Sequence, residues 1–374
     1  MSPVSIGGTE CYLFASEEEI RANPRPIIEA RSRLGIETPD TEPLRYLARI
    51  GTNPGYLQPR LAVCLQSGSE FLLAGYIRQN GGLARTKTLK FILNGLKWAN
   101  EQGAAAAGVC VARLLSQDHC VDGFAQLFPL ADSKSFFESA RRNGLMLNVW
   151  NKQTQRLATL YHPSRPHPRD QISSKRRLRL RKNERLLEAM AGGPVRIETV
   201  TSRSQVDAFL EATNAIYPNT WQSEKGLGLR DTAAWRATLT IEAEAERLYS
   251  HILYANEVPI AYQFGTIYGN TFNYEVMGFD QNYAKASPGQ MLRIEMLSQL
   301  FDRRIVGFEM GAGDYEFKQS WSDHSADIGN FQLCRKTPLG CSKFLARGLR
   351  TGLAQAYRRL RPTKEDSSEV KTNT

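Results

Sequence analysis

Asn273-Tyr-Glu-Val-Met-Gly-Phe279 runs into Asp280-Gln-Asn-Tyr-Ala-Lys-Ala286 and then into Ser287-Pro-Gly-Gln-Met-Leu-Arg293. The first piece reads as a strand, the second as a loop and the third as the opening of a helix. Ser287 suits the N-cap position, where a side-chain oxygen accepts from a first-turn N–H. Pro288 suits the first helical position, which needs no donor. Gln290, three residues after Ser287, predicts a capping box. Met291, Ile294, Leu297 and Phe301 recur at helical spacing and predict one buried face.

A helix mouth of this kind presents unpaired N–H groups and partial positive charge, and it can hold a pyrophosphate. Gly289, with no Cβ, lets the main chain come close to phosphate oxygens. Coenzyme A carries such a pyrophosphate, and its pantetheine arm would pair with main-chain groups near Met277 and Phe279. The plainer reading of the same residues is a capped helix that binds nothing.

A second informative stretch is Glu309-Met-Gly-Ala-Gly-Asp-Tyr-Glu-Phe-Lys-Gln-Ser-Trp321, where a strand gives way to a helix. Gly311 and Gly313 permit a sharp turn. Asp314 and Lys318 are four apart, so one helical turn puts them on the same side. A cap with an i,i+4 ion pair is the structural alternative to a catalytic pair.

Working outward, Val195 to Val200 predicts a strand, and 204–217 and 232–245 predict helices. Leu248 to Ala255, Val258 to Tyr268 and Thr271 to Phe279 predict an antiparallel meander with turns at Asn256-Glu257 and Gly269-Asn270. The helix from Ser287 and a strand over Val306 to Met310 follow. Upstream, Ile172 to Met190 predicts a basic helix. Its segment 175–185 holds seven Lys or Arg and one acid, Glu184. It reads either as a phosphate clamp or as a solvated face. Pro163-Ser-Arg-Pro-His-Pro-Arg169 is the clearest break, and the domain boundary is placed there.

In the N-terminal half, Arg60 to Gln66 and Glu70 to Ile77 predict a hairpin. Ser16 with Glu19 predicts a capping box, while the prolines between Pro24 and Pro59 obscure the next forty residues. A helix is expected over 88–102, a small-residue strand over 104–111, a helix over 133–143, and a second hairpin from Leu145 to Trp150 and Leu157 to His162. The halves read as residues 1–162 and 170–345, with a polar tail, 362–374, expected to be disordered.

The chain has 374 residues, 41% hydrophobic and 23% charged, an ordinary globular composition large enough for two cores. No apolar run approaches the roughly 18 residues of a membrane span. No secretory start is seen, so a cytoplasmic protein is expected. The six cysteines form no C-x-x-C pair, and there are five histidines without H-E-x-x-H, so no metal site is expected. The net charge of +10 favours anionic partners without choosing among them.

Taken together, Phe279-Asp280, Tyr283-Ala284, Ser287-Pro288-Gly289, Gly313-Asp314, Phe317-Lys318 and Trp321 resemble the CelD/BcsL family of GNAT-type acetyltransferases. The basic opening Ser173-Ser174-Lys175-Arg176-Arg177 resembles the family's opening too. The likeness covers about residues 172–331. It implies a mixed α/β (α+β) fold, a mostly antiparallel sheet flanked by helices, in two tandem GNAT-like halves of which the first is degenerate. It also implies acetyl-CoA or another acyl-CoA as co-substrate at the Ser287 helix. A similarity to Fem-type peptidyltransferases, which use aminoacyl-tRNA, implies a role in acyl transfer for Lys318. The family's proline after Asp280 is Gln281 here, and its tyrosine before the lysine is Phe317, which has no hydroxyl.

The expected reaction is direct acyl transfer to an amine or hydroxyl of a small molecule or polysaccharide precursor. Asp314 or Glu275 would take the acceptor proton. Lys318 and an N–H near Met277 would stabilise the oxyanion. The rivals are a tRNA-dependent transferase and a non-catalytic polyanion-binding scaffold.

Overall fold

Antiparallel hairpins alone cannot place two strands side by side in the same direction; a helix crossover can. The chain makes this manoeuvre twice. The computed structural model describes residues 3–53, 55–81, 85–312 and 316–360. The expected tail, 362–374, and the candidate Asp314 lie outside the described residues.

The strands are β1 (Val4–Ile6), β2 (Thr9–Phe14), β3 (Tyr56–Cys64), β4 (Phe71–Gln79), β5 (Lys87–Trp98), β6 (Asp122–Pro129), β7 (Leu145–Thr159), β8 (Val195–Val200), β9 (Ser250–Ala255), β10 (Val258–Tyr268), β11 (Thr271–Phe279), β12 (Gly307–Ala312) and β13 (His324–Arg335). They form one sheet in the order β1-β2-β3-β4-β5-β6-β13-β7-β12-β11-β10-β9-β8. Only β5–β6 and β11–β12 are parallel. The architecture is the mixed, mostly antiparallel sheet flanked by helices that the sequence predicts.

The order reveals an internal repeat. Strands β2 to β5 form an antiparallel meander, the helix Glu101–Gln117 crosses over, and β6 runs parallel to β5. Strands β8 to β11 form the second meander, the helix Pro288–Asp302 crosses over, and β12 runs parallel to β11. Each unit then hands its last strand to the other. β7 lies against β12, and β13 lies against β6. The two exchanged strands pair with each other along the middle of the sheet, from Leu145↔Arg335 to Leu157↔His324.

The exchange explains one corrected expectation. Leu145 to Trp150 and Leu157 to His162 are not two strands of a hairpin. β7 is continuous because β13 pairs with it throughout, carrying the ladder past Asn151 with a register shift between Ile328 and Asn330. The polar stretch around Asn151 resembles a turn, but the long partner overrides it.

Two further expectations are exchanged. Residues 88–102 are not a helix and 104–111 are not a strand. β5 occupies the first, with Leu89 and Phe91 turned to one core, as β-formers on a pleated surface require. The helix Glu101–Gln117 begins where Asn100 accepts from the Gly103 N–H at 3.0 Å. Its small residues serve close packing. A Cβ on Gly103 would lie 2.5 Å from the Glu70 carbonyl, and one on Gly108 would lie 2.6 Å from that of Phe136.

The helices cover both sheet faces. On the first unit, Ile20, Ile27, Tyr46 and Ile50 pack over one face of β3 and β4. On the second, Phe272, Leu297, Leu300 and Phe308 join the helix Pro288–Asp302 to β11 and β12. The helix Pro43–Ile50 of the first unit also packs against the helix Ala233–Glu244 of the second, closing a cleft over β11. Among the described residues, no helix is long and apolar enough to cross a membrane.

Candidate active site

The site starts from the register of β11. Asp280 N–H donates to the Ile260 carbonyl at 2.9 Å, and bonded and non-bonded pairs alternate along an antiparallel ladder. Gly278 therefore bonds to β10, while Met277 and Phe279, opposite Gln263 and Ala261, turn their N–H and C=O groups away from it. That side belongs to β12, which pairs with β11 only from Thr271↔Gly307 to Asn273↔Glu309. Beyond Asn273 the two parallel strands part. The result is a V-shaped notch with main-chain groups of Met277 and Phe279 along one arm and Glu309 at its base. One of these groups is already engaged: Gln222 Nε2 donates to the Met277 carbonyl at 2.6 Å.

The helix mouth differs from the expected one. Asp280 accepts from Asn282 N–H at 2.9 Å and opens a 3-10 turn, Gln281–Ala286. Ser287 ends that turn with φ 50° and holds the N-cap position as expected, but its side chain makes no cap bond, so the capping box with Gln290 does not form. The Ser287 backbone is left-handed here. Gln290 N–H donates instead to the Ser287 carbonyl at 3.0 Å.

Pro288 and Gly289 are buried. A Cβ on Gly289 would lie 2.9 Å from Met277 Cε, so this glycine lets the helix seat on β11 rather than opening it to phosphate. The solvent-facing part of the mouth is the preceding turn, with Lys285 exposed and Ser287 half-buried.

On the sheet face opposite the helix Pro288–Asp302, a cavity of about 550 Å3 opens between the two units. Glu275 and Glu309 line it from β11 and β12, and Asp40, Arg45, Arg49 and Asn94 line it from the first unit. Arg45 is the hub. It donates to Glu242 Oε1 at 2.9 Å and is ion-paired with Glu275. Burial disfavours its charge, but Glu275 and Glu242 outweigh burial and hold the guanidinium above its ordinary range. Glu275 also accepts from Thr266 Oγ1 at 3.1 Å. Its carboxylate is thus committed to Arg45 and Thr266, a structural engagement that competes with the expected role of base.

Glu309 is placed differently. Its Oε1 accepts from Gln155 Nε2 at 2.7 Å and from Gly311 N–H at 2.8 Å. Burial lifts its carboxyl above the usual range, and these two bonds and the Lys318 charge only partly offset that. Lys318 is 5% exposed, and its Nζ donates to the Gly311 carbonyl at 3.0 Å. A raised carboxyl beside a buried ammonium, at the base of a notch that meets a cavity, can accept a proton and stabilise developing negative charge.

The fold therefore brings Glu275 and Lys318 to the cavity region, Met277 and Phe279 to the notch, and Ser287, Gly289 and Gln290 to the helix mouth. Sequence reading missed Asp40, Arg45, Arg49, Asn94, Gln155, Gln222 and Glu309. Glu309 had a visible signal, a carboxylate between Phe308 and Met310 in an apolar strand. The first-unit residues had none, because they come from a proline-rich stretch and a misassigned strand.

Residues 174–319 match the family described as the acetyltransferase (GNAT) domain. The likeness to this domain is confined to that segment. A search of curated proteins finds no match. Among solved structures, FemX aligns at 9% identity and a TM-score of 0.51, over 76% of this chain and 90% of its own. L-PGS from Bacillus licheniformis aligns at 12% identity and a TM-score of 0.51, over 88% of this chain and 97% of its own. A tandem GNAT protein from the clavulanic acid biosynthesis pathway aligns at 10% identity and a TM-score of 0.47, over 88% and 99%. At these identities the likeness to FemX and L-PGS is one of fold, and the match over residues 174–319 supports a transferase.

Proposed function

We propose that the protein is an acyl-CoA-dependent acyltransferase of the CelD/BcsL type, with residues 1–162 and 170–345 as two GNAT-like halves that share strands. The observation that carries this reading is the notch. Parallel strands that part beyond Asn273 leave outward main-chain groups at Met277 and Phe279, with Glu309 and Lys318 at the base. Those groups suit the amides of a pantetheine arm once Gln222 yields the Met277 carbonyl. The diphosphate would meet the outside of the turn at Lys285 and Ser287, with Gly289 and Gln290 setting the helix behind it.

The acceptor, an amine or hydroxyl, enters through the cavity. Its lone pair attacks the thioester carbonyl carbon, its proton passes to Glu309, the C–S bond breaks as the carbonyl re-forms, and Glu309 returns the proton to the departing thiolate, which leaves as the thiol. Lys318 and the Met277 N–H stabilise the oxyanion. Glu275 positions Arg45, and Asp314 remains a proposed participant from the sequence motif alone. Calorimetry of the full chain with acetyl-CoA tests the reading. Saturable binding is expected, and its absence at millimolar ligand overturns the proposal.

One observation favours a second reading, transfer from aminoacyl-tRNA. The basic helix Ser174–Ala191 buries only Asn183 and Leu187 completely and leaves most of its cations exposed. Co-purified tRNA, with affinity falling steeply as salt rises, would favour it over acyl-CoA.

A further inference from the structure

The first unit has a cavity of its own, of about 570 Å3, beside β5 and β6. Its walls carry Arg78, Lys90, Lys343, Arg347 and Arg350, and Asp122 is the sole acid among the described lining residues. Asp122 is already fully engaged. It accepts from Thr88 Oγ1 at 2.7 Å, Gln332 Nε2 at 2.5 Å and Lys343 Nζ at 3.1 Å. It neutralises Lys343, and among the described lining residues no second carboxylate faces Arg78, Lys90 or Arg350.

The internal repeat shows how this cavity relates to the first one. Lys90↔Phe124 is the third pair of the parallel β5–β6 ladder, and Asn273↔Glu309 is the third pair of β11–β12. Where the second unit places Glu309, the first places Phe124, and where the second has Asn273, the first has Lys90. The face that carries a proton acceptor in one unit carries positive charge in the other. This cavity is therefore not a second copy of the transfer site.

Arg78 Nε is buried with no hydrogen-bond partner among the described residues. Burial, reinforced by Arg78, depresses the Lys90 ammonium below the usual lysine range. Gathering like charges in a partly desolvated space is costly unless an anion joins them. Guanidinium forks match phosphate oxygens two at a time, and the volume lies in the range of small-ligand sites.

We propose that this cavity binds a phosphate-bearing small molecule through its diphosphate group, independently of the acyl-donor notch. Calorimetry of the full chain with inorganic pyrophosphate tests it, using the double variant Arg78→Gln, Lys90→Gln and, separately, Arg350→Gln, whose side chain is exposed and whose loss spares the fold. Saturable binding is expected, weakened about tenfold or more in the double variant and several-fold in Arg350→Gln, with acetyl-CoA binding unchanged in both. No saturable binding at millimolar pyrophosphate overturns the proposal, as does binding that both variants leave intact. An RNA that displaces pyrophosphate and loses its own affinity in the same variants overturns it in favour of a nucleic-acid site.

Discussion

Lys318 and Glu309 meet through a single residue: the Lys318 ammonium donates to the Gly311 carbonyl at 3.0 Å, and the Gly311 N–H donates to Glu309 at 2.8 Å. The end of β12 thus holds a cation and a carboxyl on the two sides of one peptide turn. Truncating Lys318 to alanine removes an oxyanion donor, a change that typically costs about 100–1000-fold in rate. Acceptor-dependent release of CoA thiol should fall by that order while acetyl-CoA affinity holds. Near-normal turnover would remove Lys318 from the mechanism.

Glu309 gives a pH signature whose sign follows from its raised carboxyl. As a base it must be ionised, so the rate should climb as pH rises through the raised value and then level off. The Glu309→Gln variant should lose both the climb and most of the rate. Stability runs the other way. The native state holds this proton more tightly than the unfolded chain, so stability declines as pH rises from the ordinary glutamate range, about 4.3, to the raised folded value. Glu309→Gln should therefore be the more stable protein at neutral pH, with the difference vanishing in acid. Thermal melts across pH, read beside the rate profile, separate a catalytic carboxyl from a merely buried one.

Much of the fold around this site could be read from the chain in advance, the site's own residues far less, and the reasons for the failures are local. The meander from Ser250 to Phe279 was legible because turn residues Asn256-Glu257 and Gly269-Asn270 punctuate alternating strands. The stretch 88–111 was not, because Leu89, Leu93 and Leu96 mimic helical spacing while Ala104 to Gly108 lacks the bulk that reveals a buried helix face. Ser287 has the composition of a cap but sits at φ 50°, a conformation that tertiary packing of Pro288 and Gly289 imposes. The cavity wall from Asp40 to Asn94 could not be assigned from sequence, since it depends on how two units dock.

Gln222 makes an unusual demand on the donor site. Its Nε2 holds the Met277 carbonyl at 2.6 Å, while its Oε1 is buried with no hydrogen-bond partner among the described residues. A pantetheine amide must displace this side chain to use that carbonyl. Gln222→Ala should therefore tighten acetyl-CoA binding several-fold by calorimetry. The lost hydrogen bond costs only about 1 kcal/mol of stability. Weaker binding in the variant would place the donor elsewhere.

Arg45 carries the largest structural risk in the site. It bridges Glu242, which is fully buried, and Glu275 on β11, so it joins the first unit to the second through charge as well as packing. Removing one member of a buried ion cluster strands the others, and such losses run to about 3–5 kcal/mol. The Arg45→Met variant keeps much of the side-chain volume but leaves Glu275 without its ion-pair partner and Glu242 with Arg247 alone. Urea unfolding should show an unfolding free energy lowered by that amount, and the deficit should shrink as pH falls and the carboxylates take up protons. The double change Arg45→Met, Glu275→Gln should recover part of the loss, because it removes the stranded charge rather than restoring a contact. If the single variant unfolded like the parent at neutral pH, the cluster would not be what ties the two units together over β11.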